Sequence, residues 1–186
     1  MIWGRWIWCI AAFTWIIVLL SCTIRLTEQD RFPDAVKIHE VGPYLQDPEQ
    51  CGPFALAALF RYMGMEADPD LLAQKLYSPG AGGTLTMDLF LEARRRGLEA
   101  RQISGSGGTL IQELVDHNPV IVLFKYPGIQ ESPGHFILVT GYSDDPPGFF
   151  MLWGDGKLSW MGLDRFNRLW SKSGFWMLAA HGGGRP

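Results

Sequence analysis

The chemistry available to this sequence concentrates on one cysteine, one histidine and one glutamine. Cys51 lies in the stretch QDPEQCGPFALAALFRYMG, five residues after Gln46 and directly before a Gly-Pro pair. Pro53 suits the first turn of a helix, where its missing N–H costs nothing. Cys51 is therefore expected at a helix N-terminus, where unpaired backbone N–H groups and the positive dipole end favour an anion. A thiol held there is expected to have a lowered pKa and to act as a nucleophile. Its base is expected at His135, which stands between a polar loop and an apolar strand. Imidazole can take the thiol proton and pass it to a leaving group. Of the other histidines, His39 lies upstream of the core, His117 ends a helix and His181 is in the tail.

Acyl transfer needs two further parts. An acceptor must fix the histidine's tautomer. Asp155, twenty residues beyond His135, could fold back to do so, although Gly-Asp-Gly is equally a turn in its own right. Donors must also meet the tetrahedral oxyanion, and the Gln46 side-chain amide would complement the backbone N–H of Cys51. Plainer alternatives exist for each residue. Buried cysteines mostly serve as small hydrophobes, and Gln46 could simply end a strand at the surface. No C-x-x-C or spaced Cys/His set is present, which argues against structural zinc. The chemistry requires no metal and no organic cofactor.

A length of 186 residues suits one ordinary domain. The formal net charge is −3 and the one basic run is Arg94-Arg95-Arg96, expected as a solvated helix face, so nucleic acid is not an expected partner. The chain opens MIWGRWIWCIAAFTWIIVLLSC. One positive charge, Arg5, precedes fifteen residues, Trp6 to Leu20, whose single polar member is Thr14. That run is shorter than the ~20 residues a membrane-spanning helix needs and matches the apolar core of a secretory signal peptide. Leu19-Leu20-Ser21-Cys22 resembles a lipobox, in which cleavage leaves Cys22 as a lipidated N-terminus; an uncleaved signal anchor is the alternative. The expected organisation is a signal peptide at 1–21, a tether at 22–40, a domain at 41–180 and a disordered tail at 181–186. The protein would then be a lipoprotein of the bacterial cell envelope, membrane-anchored and facing the periplasm or exterior. Cys9 would leave with the signal peptide and Cys22 would carry the lipid, so Cys51 would remain as the one free thiol.

The elements that must position these residues can be read in order. Val36 to Leu45 is expected to be extended and to lead into the cysteine helix, whose apolar residues leave no broad polar face. Asp68 caps a second helix from Pro69 to Tyr77, ended by Ser78-Pro79-Gly80. A third runs from Thr84 to Arg96, with Gly97 as its C-cap, and a short fourth from Thr109 to His117. Strands are expected at Leu98–Ile103, Pro119–Tyr126, His135–Tyr142, Phe149–Trp153, Leu158–Leu163 and Phe175–Ala180, with a small helix at Asp164–Trp170. Helices come first and an antiparallel sheet second, the α+β order.

Gln46, the CGP of residues 51–53 with its following helix, and GHFILVTGY at 134–142 resemble papain-like cysteine peptidases. More closely, the chain is similar to the bacteriocin-processing, double-glycine peptidases, in their stand-alone exported form, from about Val41 to Ala180. GGTLTMDLFLEARRRGLEA and LDRFNRLWSKSGFWMLAA share in that similarity. The resemblance implies a papain-like fold with N-terminal helices on a C-terminal sheet. It also implies roles: Cys51 as nucleophile, His135 as base and acid, Gln46 as oxyanion donor and Asp155 as the orienter of the histidine. In many relatives an aspartate followed by proline ends the strand after the histidine, whereas here the comparable place reads LWGDG. The expected function is an exported, lipid-anchored thiol peptidase acting on a peptide or protein substrate. The alternatives are a peptide-binding module of the same fold with little or no catalysis, and acyl transfer to an amine by the same Cys–His pair.

Overall fold

The computed structural model describes residues 31–42, 44–46, 48–126 and 134–182. The signal peptide, Cys22, most of the tether, the loop at 127–133 and the end of the tail lie outside the described residues. The chain divides into two compact units, residues 1–33 and 34–186. Only residues 31–33 of the first are described; the second carries the helices, the sheet and the site.

The helix carrying the cysteine, α1 (Cys51–Tyr62), is the buried axis of the domain. Ala55, Leu56, Leu59 and Phe60 are wholly inaccessible, and only Phe54 and the last turn meet solvent. A helix with no polar face must be covered on all sides. The cover comes from the sheet, from α2 (Pro69–Leu76) and from α3 (Thr86–Arg95). As expected, the Asp68 side chain caps α2 by accepting from the N–H groups of Asp70 and Leu71. The third helix starts two residues later than its pattern suggested. Gly83–Thr84 (β3) pairs instead with Tyr77–Ser78 (β2), and the Pro79–Ala81 turn links the two. The glycine at 82, with φ +60°, supplies the left-handed turn that closes this hairpin.

The remaining strands are β1 (Val36–Lys37), β4 (Glu99–Ser104), β5 (Val120–Phe124), β6 (His135–Asp144), β7 (Pro147–Leu152), β8 (Leu158–Gly162) and β9 (Trp176–His181). They form one antiparallel sheet in the order β4-β9-β5-β6-β7-β8, while β1 pairs with β6. The helix α4 (Gly107–Val115) joins β4 to β5, and α5 (Leu163–Trp170) joins β8 to β9 through a 3-10 turn. Every residue of β5 is buried, as its unbroken apolar run requires. The fold is thus the expected α+β arrangement.

Two expected boundaries move outward. The tether was expected to reach residue 40, yet Val36 and Lys37 pair with Tyr142 and Gly141, and the N–H of Ile38 donates to the Thr140 carbonyl at 2.7 Å. Gly141 admits this strand, since a Cβ there would stand 2.4 Å from the Val36 carbonyl oxygen. At the other end, His181 was assigned to the disordered tail. It closes β9 opposite Glu99, and its Nε2 lies 2.8 Å from the buried Glu113 carboxylate. The extended conformation of Val36–Lys37 was expected, but its pairing with β6, like that of His181 with β4, is made by backbone groups.

Of Arg94-Arg95-Arg96, the first two are exposed as expected of a solvated face, while Arg95 and the half-buried Arg96 also reach one buried carboxylate. Glu92, only 3 % exposed, accepts from Lys75 Nζ at 2.6 Å, from Arg95 at 2.7 and 2.8 Å, and from Arg96 Nε at 3.2 Å. Burial alone would raise its pKa, but the hydrogen bonds from Arg95, Lys75 and Arg96 hold it down at about 2. A carboxylate with a depressed folded pKa stabilises the fold fully above its ordinary value, and the contribution fades as pH falls through the folded one. Glu92→Gln is therefore expected to cost on the order of 2 kcal/mol at pH 7. The native–variant difference in denaturant midpoint should shrink between about pH 4.5 and pH 2; a constant difference would refute the assignment.

Candidate active site

The site forms where the tip of α1 meets the start of β6. Cys51 is the first residue of α1, directly after the 3-10 turn Pro48–Gln50. The Phe136 N–H donates to its Sγ at 3.4 Å, joining residues 85 apart in sequence. Gly52 makes the approach possible. A Cβ there would lie 3.1 Å from both the Phe136 ring and the Thr84 Cβ. The thiol is only 7 % exposed, and this reverses one expectation. Burial pushes the Cys51 pKa up, and the backbone N–H groups of Phe136, Gly52 and Cys51 itself offset this only in part. The helix N-terminus favours the thiolate, as read from the sequence, but loss of water outweighs it.

His135, as the residue before Phe136, opens β6 beside the thiol's donor. Its Nε2 lies 3.1 Å from the Trp153 carbonyl oxygen, and its ring stacks on the Trp153 indole at 5.3 Å and 21°. A carbonyl only accepts, so Nε2 carries the proton and Nδ1 keeps the lone pair. Burial lowers the histidine's pKa, and the bond to Trp153 opposes that shift without cancelling it. Gly134, with φ +88°, sets the angle of entry, since a Cβ there would stand 2.7 Å from the Phe124 carbonyl.

Asp155 was expected to orient the histidine. Its Oδ1 instead accepts from the Lys157 N–H at 3.1 Å, the local turn that Gly-Asp-Gly also allowed. The orienting atom at His135 is a main-chain carbonyl two residues earlier. The turn nevertheless holds the site through its backbone. The Gln46 N–H donates to the Gly154 carbonyl at 3.0 Å, the Gly156 N–H donates to the Tyr44 carbonyl at 2.9 Å, and Leu45 bridges Asp155. Residues 153–156 thereby fix His135 on one side and the glutamine segment on the other. The Gln46 side chain lies directly on Gly154, where a Cβ would come within 2.1 Å of its Cδ, and its Oε1 is buried. Among the described residues no group of three or more His, Cys, Asp or Glu could hold a metal ion.

Sequence reasoning missed Trp153 and Gly154. The usable signal was an aromatic residue ending a strand just ahead of Gly-Asp-Gly, which marks a close backbone approach. Nothing in the residue type could indicate that its carbonyl, rather than the neighbouring carboxylate, meets the histidine.

Comparison with protein families matches residues 44–181 to the peptidase C39 family. The chain belongs to the peptidase C39 family. Its members are cysteine peptidases, and the span contains Gln46, Cys51 and His135. No curated protein matches the chain. Among solved structures, a C39-like peptidase from Bacillus anthracis has a TM-score of 0.66 at 15% identity, covering 82% of this chain and 100% of its own. A double glycine motif protease from an AMS/PCAT transporter, solved with a leader peptide, has a TM-score of 0.59 at 16% identity, covering 74% of this chain and 89% of its own. The peptidase domain of Streptococcus ComA, a bi-functional ABC transporter, has a TM-score of 0.57 at 18% identity, covering 77% and 99%. At these identities the likeness concerns the fold, which is that of C39 peptidases.

The contact between Gly154 and Gln46 yields a prediction. Gly154→Ala adds a methyl where the Gln46 side chain lies and strains a φ of +83°, at an expected cost of about 1–3 kcal/mol in stability. Turnover measured well below the variant's melting temperature should fall by about tenfold or more as Gln46 is displaced. Unchanged turnover would remove Gln46 from the site.

Proposed function

We propose that this C39 peptidase is an exported, lipid-anchored enzyme that cleaves peptide bonds through Cys51 and His135. The observation that carries the proposal is the Phe136 N–H on Cys51 Sγ, which seats the residue next to His135 on the thiol. In the reaction, the thiol proton passes to Nδ1 of His135 as Sγ attacks the scissile carbonyl. The carbonyl electron pair moves onto oxygen, where the Gln46 amide and the Cys51 N–H donate to it. Collapse breaks the C–N bond, and the imidazolium gives its proton to the departing amine. Water then attacks the thioester by the same route in reverse. The Trp153 carbonyl keeps the proton on Nε2 throughout and offers the imidazolium a neutral partner instead of a carboxylate. A peptide substrate is supported by the neighbour solved with a leader peptide.

Cys51→Ala is expected to abolish hydrolysis while leaving cooperative melting intact; hydrolysis that survives the substitution would defeat the proposal. The pH dependence is set by the two shifts. Hydrolysis needs neutral His135, whose pKa is lowered, so the acid limb should fall below the ordinary imidazole value of about 6.5. Alkylation of Cys51 by iodoacetamide should keep rising beyond the ordinary thiol value of about 8.5, because burial raises its pKa. An alkylation plateau already reached near pH 6 would show a preformed thiolate and contradict this site.

A second function is favoured by one specific observation: His135 meets a carbonyl where an acid was expected, and both members of the proposed pair are shifted toward their neutral forms. That combination suits a peptide-binding module with weak catalysis. It predicts peptide binding that survives Cys51→Ala, with no acyl-enzyme detectable by mass spectrometry on the native chain.

The anchor rests on the apolar run and on Cys22 in Leu19-Leu20-Ser21-Cys22. No helix among the described residues is long and apolar enough to cross a membrane. Cys22→Ser is expected to abolish metabolic palmitate labelling in a bacterial host, and undiminished labelling would refute lipidation at that residue.

A further inference from the structure

We infer that the hydroxyl of Tyr44 is an additional hydrogen-bond donor to the oxyanion formed at Cys51, alongside the Gln46 amide. The inference rests on the Cys51–His135 chemistry proposed above. Residues 44–46 are tied to 154–156 by backbone bonds at both ends. In an extended segment, alternate side chains face opposite ways. Leu45 is 72 % exposed, whereas Tyr44 and Gln46 turn inward together. The Tyr44 ring lies 6.5 Å from that of Phe54 at 42°, and Phe54 stands one helical turn after Cys51. The phenol ring thus neighbours the first turn of α1 through Phe54.

Its hydroxyl is buried and has no hydrogen-bond partner among the described residues. Buried polar groups are normally satisfied, so an orphan at a reaction site points to a partner that the substrate supplies. Burial, and then the negative charge that Cys51 carries when ionised, push the Tyr44 phenol well above its ordinary value. It therefore keeps its proton at working pH and can donate. Donors already in place where charge develops lower the barrier, because nothing has to reorganise during the reaction. Tyr44 loses no proton in this role. As Sγ bonds to the carbonyl carbon and the π pair moves to oxygen, the Tyr44 O–H and the Gln46 N–H₂ both point at that oxygen. The pair returns to re-form the carbonyl when the C–N bond breaks.

Two reagents separate this role from a general effect on the thiol. Iodoacetamide alkylates sulfur by direct displacement, with no oxyanion. p-Nitrophenyl acetate acylates it through a tetrahedral oxyanion and releases p-nitrophenolate. Both are used on the full chain in detergent, with Cys51→Ala providing the background from Cys9 and Cys22. Tyr44→Phe keeps the ring on Phe54 and removes only the hydroxyl. The variant should melt with the native protein and alkylate at the native rate, while acylation slows by about ten- to a hundredfold. Equal acylation rates would overturn the role of Tyr44 and leave the Cys51–His135 chemistry standing. Equal slowing with both reagents would also overturn it, because Tyr44 would then act on the thiol itself. If the native chain shows no Cys51-dependent acylation, the proposed chemistry and this inference fail together.

Discussion

Everything at this site depends on one backbone group reaching one sulfur atom. The Phe136 N–H meets Cys51 Sγ only because the helix that begins at Cys51 runs buried against the strand that begins at His135. The helical half of the chain and the sheet half each supply one member of the proposed pair, so neither half could hold the site alone. Two glycines permit the contact. Gly52 leaves room for the Phe136 ring, and Gly134 turns the chain into β6 beside the Phe124 carbonyl. A side chain at either place would meet atoms at 3.1 Å or less.

The second constraint is the turn after β7. Its main chain performs the task expected of the Asp155 side chain and also holds the glutamine segment. The Trp153 carbonyl orders the imidazole, the Gly154 carbonyl holds the glutamine segment, and the Gly156 N–H holds Tyr44. Backbone groups of a tight turn carry little conformational freedom, so they position their partners at small entropic cost. What they lack is charge. A carboxylate beside His135 would have drawn its pKa up; the carbonyl does so too weakly to offset burial.

The electrostatic result is a buried thiol and a half-buried imidazole that are both shifted toward their neutral forms. Exclusion of water explains this, and it also strengthens every hydrogen bond made to a charge that forms during a reaction. Donors facing the sulfur therefore count for more here than in an open cleft. Elsewhere the same physics is resolved differently. Glu92 is equally dry but stays ionised, because three cations reach it from α2 and from its own helix.

Much of the fold was legible in the sequence, because it arises from periodicity and local stop signals. The all-round apolar helix after Cys51, the aspartate cap at 68, the unbroken run of β5 and the order of helices before strands each leave a direct imprint on residue types. The same holds for Cys51, His135 and Gln46 as candidates, since few residues can do thiol chemistry, Cys51 and His135 each open an element, and Gln46 lies just ahead of the cysteine helix. The sequence could not reveal contacts made by main-chain atoms, which every residue carries alike. Strand β1 within the supposed tether, His181 within β9, and the choice of the Trp153 carbonyl over the Asp155 carboxylate were settled by tertiary pairing alone. The sign of the thiol's shift was settled the same way. A helix N-terminus can be read from Gly-Pro, but the depth to which the sheet buries it depends on how the two halves close.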